Sequence, residues 1–151
     1  MSNEELYYYS IALTAGFVDM EAYRVRLNQA FLEDETESDI LFTLEMCTGN
    51  LQKTIDEINN FLYGKIAEIN FSAVGLLVGT ESQKKLSVDQ ESIRTLTKQW
   101  SHLGDLLPFE IRHEDLFNTM RLLDMYGQFH STIQMNEEVY KVINKLHNAM
   151  G

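Results

Sequence analysis

The chain has one proline, one cysteine and, within its first 47 residues, only two positively charged side chains, Arg24 and Arg26. Each scarcity excludes something. A single proline, Pro108, leaves long stretches free of the residue that most strongly breaks helices. A lone thiol, Cys47, cannot form an internal disulfide, so the framework does not depend on an oxidising compartment, and no cysteine pair is present to build a zinc site. The longest apolar run, Ile69 to Gly79, is interrupted by Asn70 and Ser72 and reaches about half of the roughly 20 residues a membrane helix requires. Glu4 and Glu5 stand where a secretory leader carries lysine or arginine, so the expected location is cytoplasmic. Phosphate-binding glycine loops, dinucleotide glycines and serine nucleophile elbows are also missing, which leaves no candidate catalytic or cofactor-binding residue.

Acidic residues are abundant, and they are unevenly placed. Residues 1–47 contain ten acids (Glu4, Glu5, Asp19, Glu21, Glu33, Asp34, Glu35, Glu37, Asp39 and Glu45) against the two arginines, a balance of −8, whereas residues 48–151 contribute −3 to the total of −11. Such a field attracts cations and basic proteins and repels nucleic acid and anionic lipid. Five of the seven residues from Glu33 to Asp39 are carboxylates. As a calcium loop this run lacks the glycine at the sharp turn and the closing bidentate glutamate, so no metal is expected there. Glu33, Asp34, Glu35, Glu37 and Asp39 fit a helix entrance and a surface for a basic partner protein.

Apolar spacing predicts helices along most of the chain. Leu6, Tyr9, Leu13 and Phe17 recur three or four apart, as do Met20, Tyr23, Leu27, Ala30 and Phe31, then Ile40, Leu41, Leu44 and Cys47. Ser2 followed by Glu5 has the capping-box pattern, Gly16 closes the first helix and Asp19 caps the second. Thr48, Gly49 and Asn50 form the next break, with positive φ expected at Gly49 and a cap at Asn50. From Leu51 to Leu76 the same spacing passes through Gly64 as one helix or two, and residues 69–78 suit either helix or strand, with helix favoured because no strand partner is evident. Thr80 to Lys85 reads as a polar loop, and 80–86 is the clearest sub-boundary in a single helical domain spanning 1–151.

Ser87 and Gln90 then open a helix bearing Ile93, Leu96, Trp100 and Leu103, with a turn or extended connection at 104–112 around Pro108. Leu116, Met120 and Leu123 begin another helix, ending near Gly127, and Asn136 starts the last, with Val139, Ile143, Leu146 and Met150 inward. The expected fold is all-α, an irregular bundle of six to eight helices. With 44% apolar and 23% charged residues the chain is globular rather than disordered.

The remaining chemistry is sparse. His102, His113, His130 and His147 include no pair at the i, i+4 spacing of a helical metal site, and adjacent His113, Glu114 and Asp115 would point roughly 100° apart on a helix. Cys47 lies on an apolar stripe in a negative field, the setting of an inert buried thiol. Tyr7, Tyr8 and Tyr9 fan around a helix, so with Tyr9 in the core stripe, Tyr7 and Tyr8 are candidate partner-binding anchors.

Gly16, Phe17 and Val18, then Ala30, Phe31 and Leu32, then Asp39, Ile40, Leu41, Leu44 and Glu45 resemble the opening helical repeat of small acidic bacterial proteins grouped with toxin-immunity proteins. The resemblance covers the first third of the chain and consists of helix-turn-helix spacing. It implies a cytosolic inhibitor that docks through an acidic face on a toxin, commonly a basic nuclease. No distinctive motif is matched, so no individual binding residue carries over. The expected function is therefore a non-enzymatic protein-binding domain. The alternatives are a helical regulatory or adaptor subunit that homo-oligomerises, and an enzyme whose site forms only in three dimensions.

Overall fold

Short polar side chains open the helices of the N-terminal region where sequence places them. In the computed structural model, which describes residues 1–36, 38–85, 90–107, 121, 124–125 and 132–150, helix α1 spans Asn3–Thr14, α2 Met20–Glu33, α3 Asp39–Met46 and α4 Leu51–Leu62. Ser2 Oγ accepts from the Glu5 amide at 3.1 Å, Asp19 Oδ1 from Ala22 at 2.8 Å and Asn50 Oδ1 from Lys53 at 2.9 Å. Each bond satisfies a backbone donor that the first helical turn leaves free. The capping box at Ser2 is half used, because the Glu5 carboxylate engages Arg26.

The end of α1 is equally local in origin. Gly16 adopts φ +68°, its amide donates to Leu13 O at 3.3 Å, and the Phe17 amide donates to Ala12 O at 2.8 Å. This is the Schellman arrangement, which needs a left-handed residue at that point and turns the following side chain back onto the helix. Phe17 is accordingly fully buried.

Residues 1–70 form one compact unit and residues 71–151 a second. In the first unit α1 is the central helix. Leu6, Tyr8, Ser10, Ile11, Ala12 and Leu13 are all buried, more than one stripe can supply. It packs on α4, where Ser10 Oγ donates to Asn59 Oδ1 at 2.5 Å, and on α2, where the Tyr9 and Tyr23 rings meet edge-on at 5.4 Å. Enclosure on several sides explains why Tyr8 is in the core and Tyr9 only half-buried, the reverse of the expected order. Positive φ falls at Gly64 (+80°) and not at Gly49. That residue separates α4 from a 3-10 turn, Ile66–Glu68, and divides the long apolar run into two helices.

Tyr23 is fully buried, yet its hydroxyl has no hydrogen-bond partner among the described residues. Burial, then the proximity of Cys47, Glu45 and Tyr9, pushes the phenol above its ordinary pKa, so it stays neutral. An unpaired buried hydroxyl costs about 1–3 kcal/mol, so Tyr23→Phe should stabilise the unit by roughly 1 kcal/mol once the small void is counted. A urea midpoint that moves down at unchanged slope would show that the hydroxyl is paired after all.

The second unit contains α5 (Phe71–Lys85), α6 (Gln90–Leu106) and α7 (Thr132–Met150), with α7 packed against both others. Residues 71–78 are helical, and so are Thr80–Lys85, where a loop was expected. Glu81, Gln83, Lys84 and Lys85 are good helix formers, Glu81 pairs with Lys84 at 3.8 Å, and both lysines sit at the negative end of the helix dipole. Helix α6 likewise continues through Gly104 to Leu106, two residues short of Pro108. Helix α7 begins four residues before Asn136, since nothing from Thr132 to Met135 breaks a helix.

The stripe Ile93, Leu96, Trp100 and Leu103 is buried as predicted, and Val139, Val142 and Ile143 of α7 are buried as well. Leu146 and Met150 side chains, Ser87, Pro108 and the expected helix from Leu116 to Gly127, apart from helical Arg121, Asp124 and Met125, lie outside the described residues. The fold is all-α, and the described residues contain seven α-helices.

Candidate protein-binding surface

The first unit carries thirteen acids against four bases, and the structure shows how its arginines are used. Arg24 on α2 donates from Nη2 and Nε to the Thr48 carbonyl at 2.8 and 3.2 Å, closing the carboxyl end of α3. Arg26, two residues further along the helix, grips Glu5 with two bonds of 2.8 and 3.0 Å and reaches Glu33 at 3.2 Å. The only two cationic side chains of residues 1–47 are thus engaged inside the unit. The unit keeps a net charge of −9, thirteen acids against four bases.

The acidic run divides into structural and solvent-facing members. Glu33 is held by Arg26 and by Gln29 Nε2 at 2.9 Å. Asp34 accepts from the Thr36 hydroxyl at 2.7 Å, the Thr36 amide at 3.0 Å and the Ser38 amide at 2.8 Å. Those donors, the Thr36 hydroxyl first, hold its carboxyl below the ordinary pKa. Asp34 therefore shapes the turn between α2 and α3. Glu35 and Asp39 are exposed, and Glu37 lies outside the described residues. Of the two candidate anchors, Tyr8 is buried and belongs to the core, while Tyr7 is half-buried and burial raises its phenol pKa.

Beside the turn lies a shallow cleft of about 360 Å³ lined by Met1, Ala30, Glu33, Asp34, Thr36, Ser38 and Leu41. The Glu33 and Asp34 oxygens in it already accept hydrogen bonds from the chain itself. Among the described residues no three of His, Cys, Asp and Glu come together to hold a metal ion. Cys47 is buried, its thiol directed at Leu44 O at 3.4 Å and approached by the Thr54 hydroxyl at 3.7 Å.

No family model, curated protein or solved structure matches the chain. No helix among the described residues is long and apolar enough to cross a membrane.

Exposed apolar side chains that fall off the buried stripes add to the acidic surface. Val25 and Leu32 on α2, and Phe42 and Met46 on α3, are exposed large apolar side chains, and the Phe42 ring meets half-buried Phe31 at 5.6 Å. Their signal in the sequence is that they fall off the buried stripes yet recur at helical spacing, seven apart on α2 and four apart on α3.

Proposed function

We propose that this protein is a non-enzymatic binding domain whose N-terminal unit engages a basic protein, in the manner of an immunity protein that neutralises a basic toxin. The observation that carries this reading is the fate of Arg24 and Arg26. With Arg24 held on the Thr48 carbonyl and Arg26 on Glu5 and Glu33, exposed Glu21, Glu35, Asp39 and Glu45 form no salt bridge among the described residues. A surface of one sign steers a partner of the opposite sign and accelerates encounter.

Capture on the immobilised protein from its native lysate, followed by stopped-flow with the recovered partner, tests this. Raising salt from about 20 to 150 mM should slow association by roughly tenfold or more while dissociation changes little. A salt-independent rate would remove the mechanism. Neutralisation should target Glu35 and Asp39, since replacing Glu33 or Asp34 would disturb the turn as well as the field.

The exposed apolar side chains of α2 and α3 favour a second reading, a helical adaptor that self-associates through a helix face. Sedimentation separates the two. Dimerisation at micromolar concentration, unaffected by neutralising Glu35 and Asp39, supports the adaptor.

A further inference from the structure

Helices α2 and α3 run antiparallel, with Phe31 against Phe42 at one end and Arg24 on the Thr48 carbonyl at the other. Their inward faces carry Tyr23, Leu27 and Ala30, and Leu41 and Leu44, which complete their share of the core. Both helices also present apolar side chains on the opposite side. Val25 is 62% exposed, Leu32 89%, Phe42 52% and Met46 88%. Such a concentration exceeds the scattered single residues of an ordinary surface and marks an interaction site.

The charges around this face select its occupant. Exposed Glu21 precedes Val25 by one helical turn, exposed Asp39 precedes Phe42 by nearly one, and exposed Glu45 adjoins Met46. Arg24 and Arg26 are engaged with Thr48, Glu5 and Glu33. A second copy meeting this face about a two-fold axis would oppose the same acids to one another, and an anionic membrane would be repelled. A cationic amphipathic helix meets both demands. Its apolar stripe covers the exposed side chains while lysine or arginine at its edges reaches the rim.

We propose that the outer face of α2 and α3 is the docking site for a cationic amphipathic helix of the partner protein. This rests on the acidic-binding reading above and names the contact surface for it.

The test uses the full chain and a fluorescent helical peptide of about 18 residues, leucine on one face and lysine on the other. Leu32→Ser and the double variant Phe42→Ser/Met46→Ser should each weaken binding by roughly tenfold or more, because a desolvated anchor is lost. Tyr63→Ser removes an equally exposed side chain (88%) at the end of α4 and should leave affinity within about twofold. In heteronuclear NMR of the parent protein, peptide-induced shifts should concentrate on residues 21–47.

Parental affinity in both Leu32→Ser and the double variant overturns the proposal. In that event Glu21→Gln/Asp39→Asn/Glu45→Gln decides what survives. Weakened binding keeps the acidic partner reading without this face, and unchanged binding removes both. A concentration-dependent dimer abolished by Leu32→Ser would also overturn it, because the occupant would then be a second copy.

Discussion

Replacing Trp100 by alanine should destabilise the C-terminal unit by about 3–5 kcal/mol, the range for truncating a large buried aromatic. Trp100 is fully buried on α6, and its indole Nε1 donates to Ser82 Oγ of α5 at 2.8 Å. Ser82 in turn donates to the Val78 carbonyl at 2.7 Å, so one buried polar chain joins the two helices. Truncation removes both the ring volume and the donor.

Trp100→Phe separates these contributions. It keeps most of the volume and leaves Ser82 its bond to Val78, so the loss should fall to around 1–2 kcal/mol. Far-UV circular dichroism through a urea titration reads both variants without depending on tryptophan emission. Equal losses for alanine and phenylalanine would show that the hydrogen bond, and not packing, dominates.

Phe17→Ala should cost the N-terminal unit a similar amount, about 3–5 kcal/mol. Phe17 is wholly enclosed and is placed there by the bonds that terminate α1, Phe17 N to Ala12 O and Gly16 N to Leu13 O. Its loss opens a void beside the central helix and removes the apolar contact that accompanies this type of helix end. Phe17→Leu should retain more than half of the stability lost by alanine, because the volume change is smaller. A Phe17→Ala midpoint within about 0.5 kcal/mol of the parent would contradict the enclosed position of the ring.

The surface readings depend on the same unit remaining folded. Leu32, Met46 and Tyr63 are almost fully exposed, so their replacement by serine should change stability by less than about 0.5 kcal/mol. Loss of binding in those variants can then be assigned to the surface itself. Phe42 carries an additional ring contact with Phe31, which is why Leu32→Ser stands beside it as an independent variant.

Local chemistry was legible from residues alone. Asp19 and Asn50 cap because a short acceptor next to free amides has a bond to make wherever the helix later packs. Gly16 ends α1 because only a residue without a Cβ adopts its φ cheaply. The stripe through Ile93, Leu96, Trp100 and Leu103 is equally local, since one helix buries one face. Polarity misled at Thr80–Lys85. Charged side chains serve an exposed helix as well as a loop, and composition does not separate them.

The candidate surface was legible in sign and not in place. Adjacency in sequence does not distinguish Glu33 and Asp34 from Glu35 and Asp39. The distinction among them comes from Arg26, Gln29, Thr36 and Ser38, whose side chains and amides converge only after α2 and α3 have turned against each other. Tyr8 shows the same limit in the core. Helical period assigns it to the far side of α1, and a second packed face buries it.

The amino-acid sequence by itself determined the all-α class, the helix caps and the concentration of negative charge in the first third, because each depends on neighbours within a turn or on a simple count. Tertiary structure decided which charges remain available and which apolar side chains remain uncovered. Those outcomes depend on partners distant in the chain, such as Glu5 for Arg26 and Thr48 for Arg24, and no period along the sequence records them.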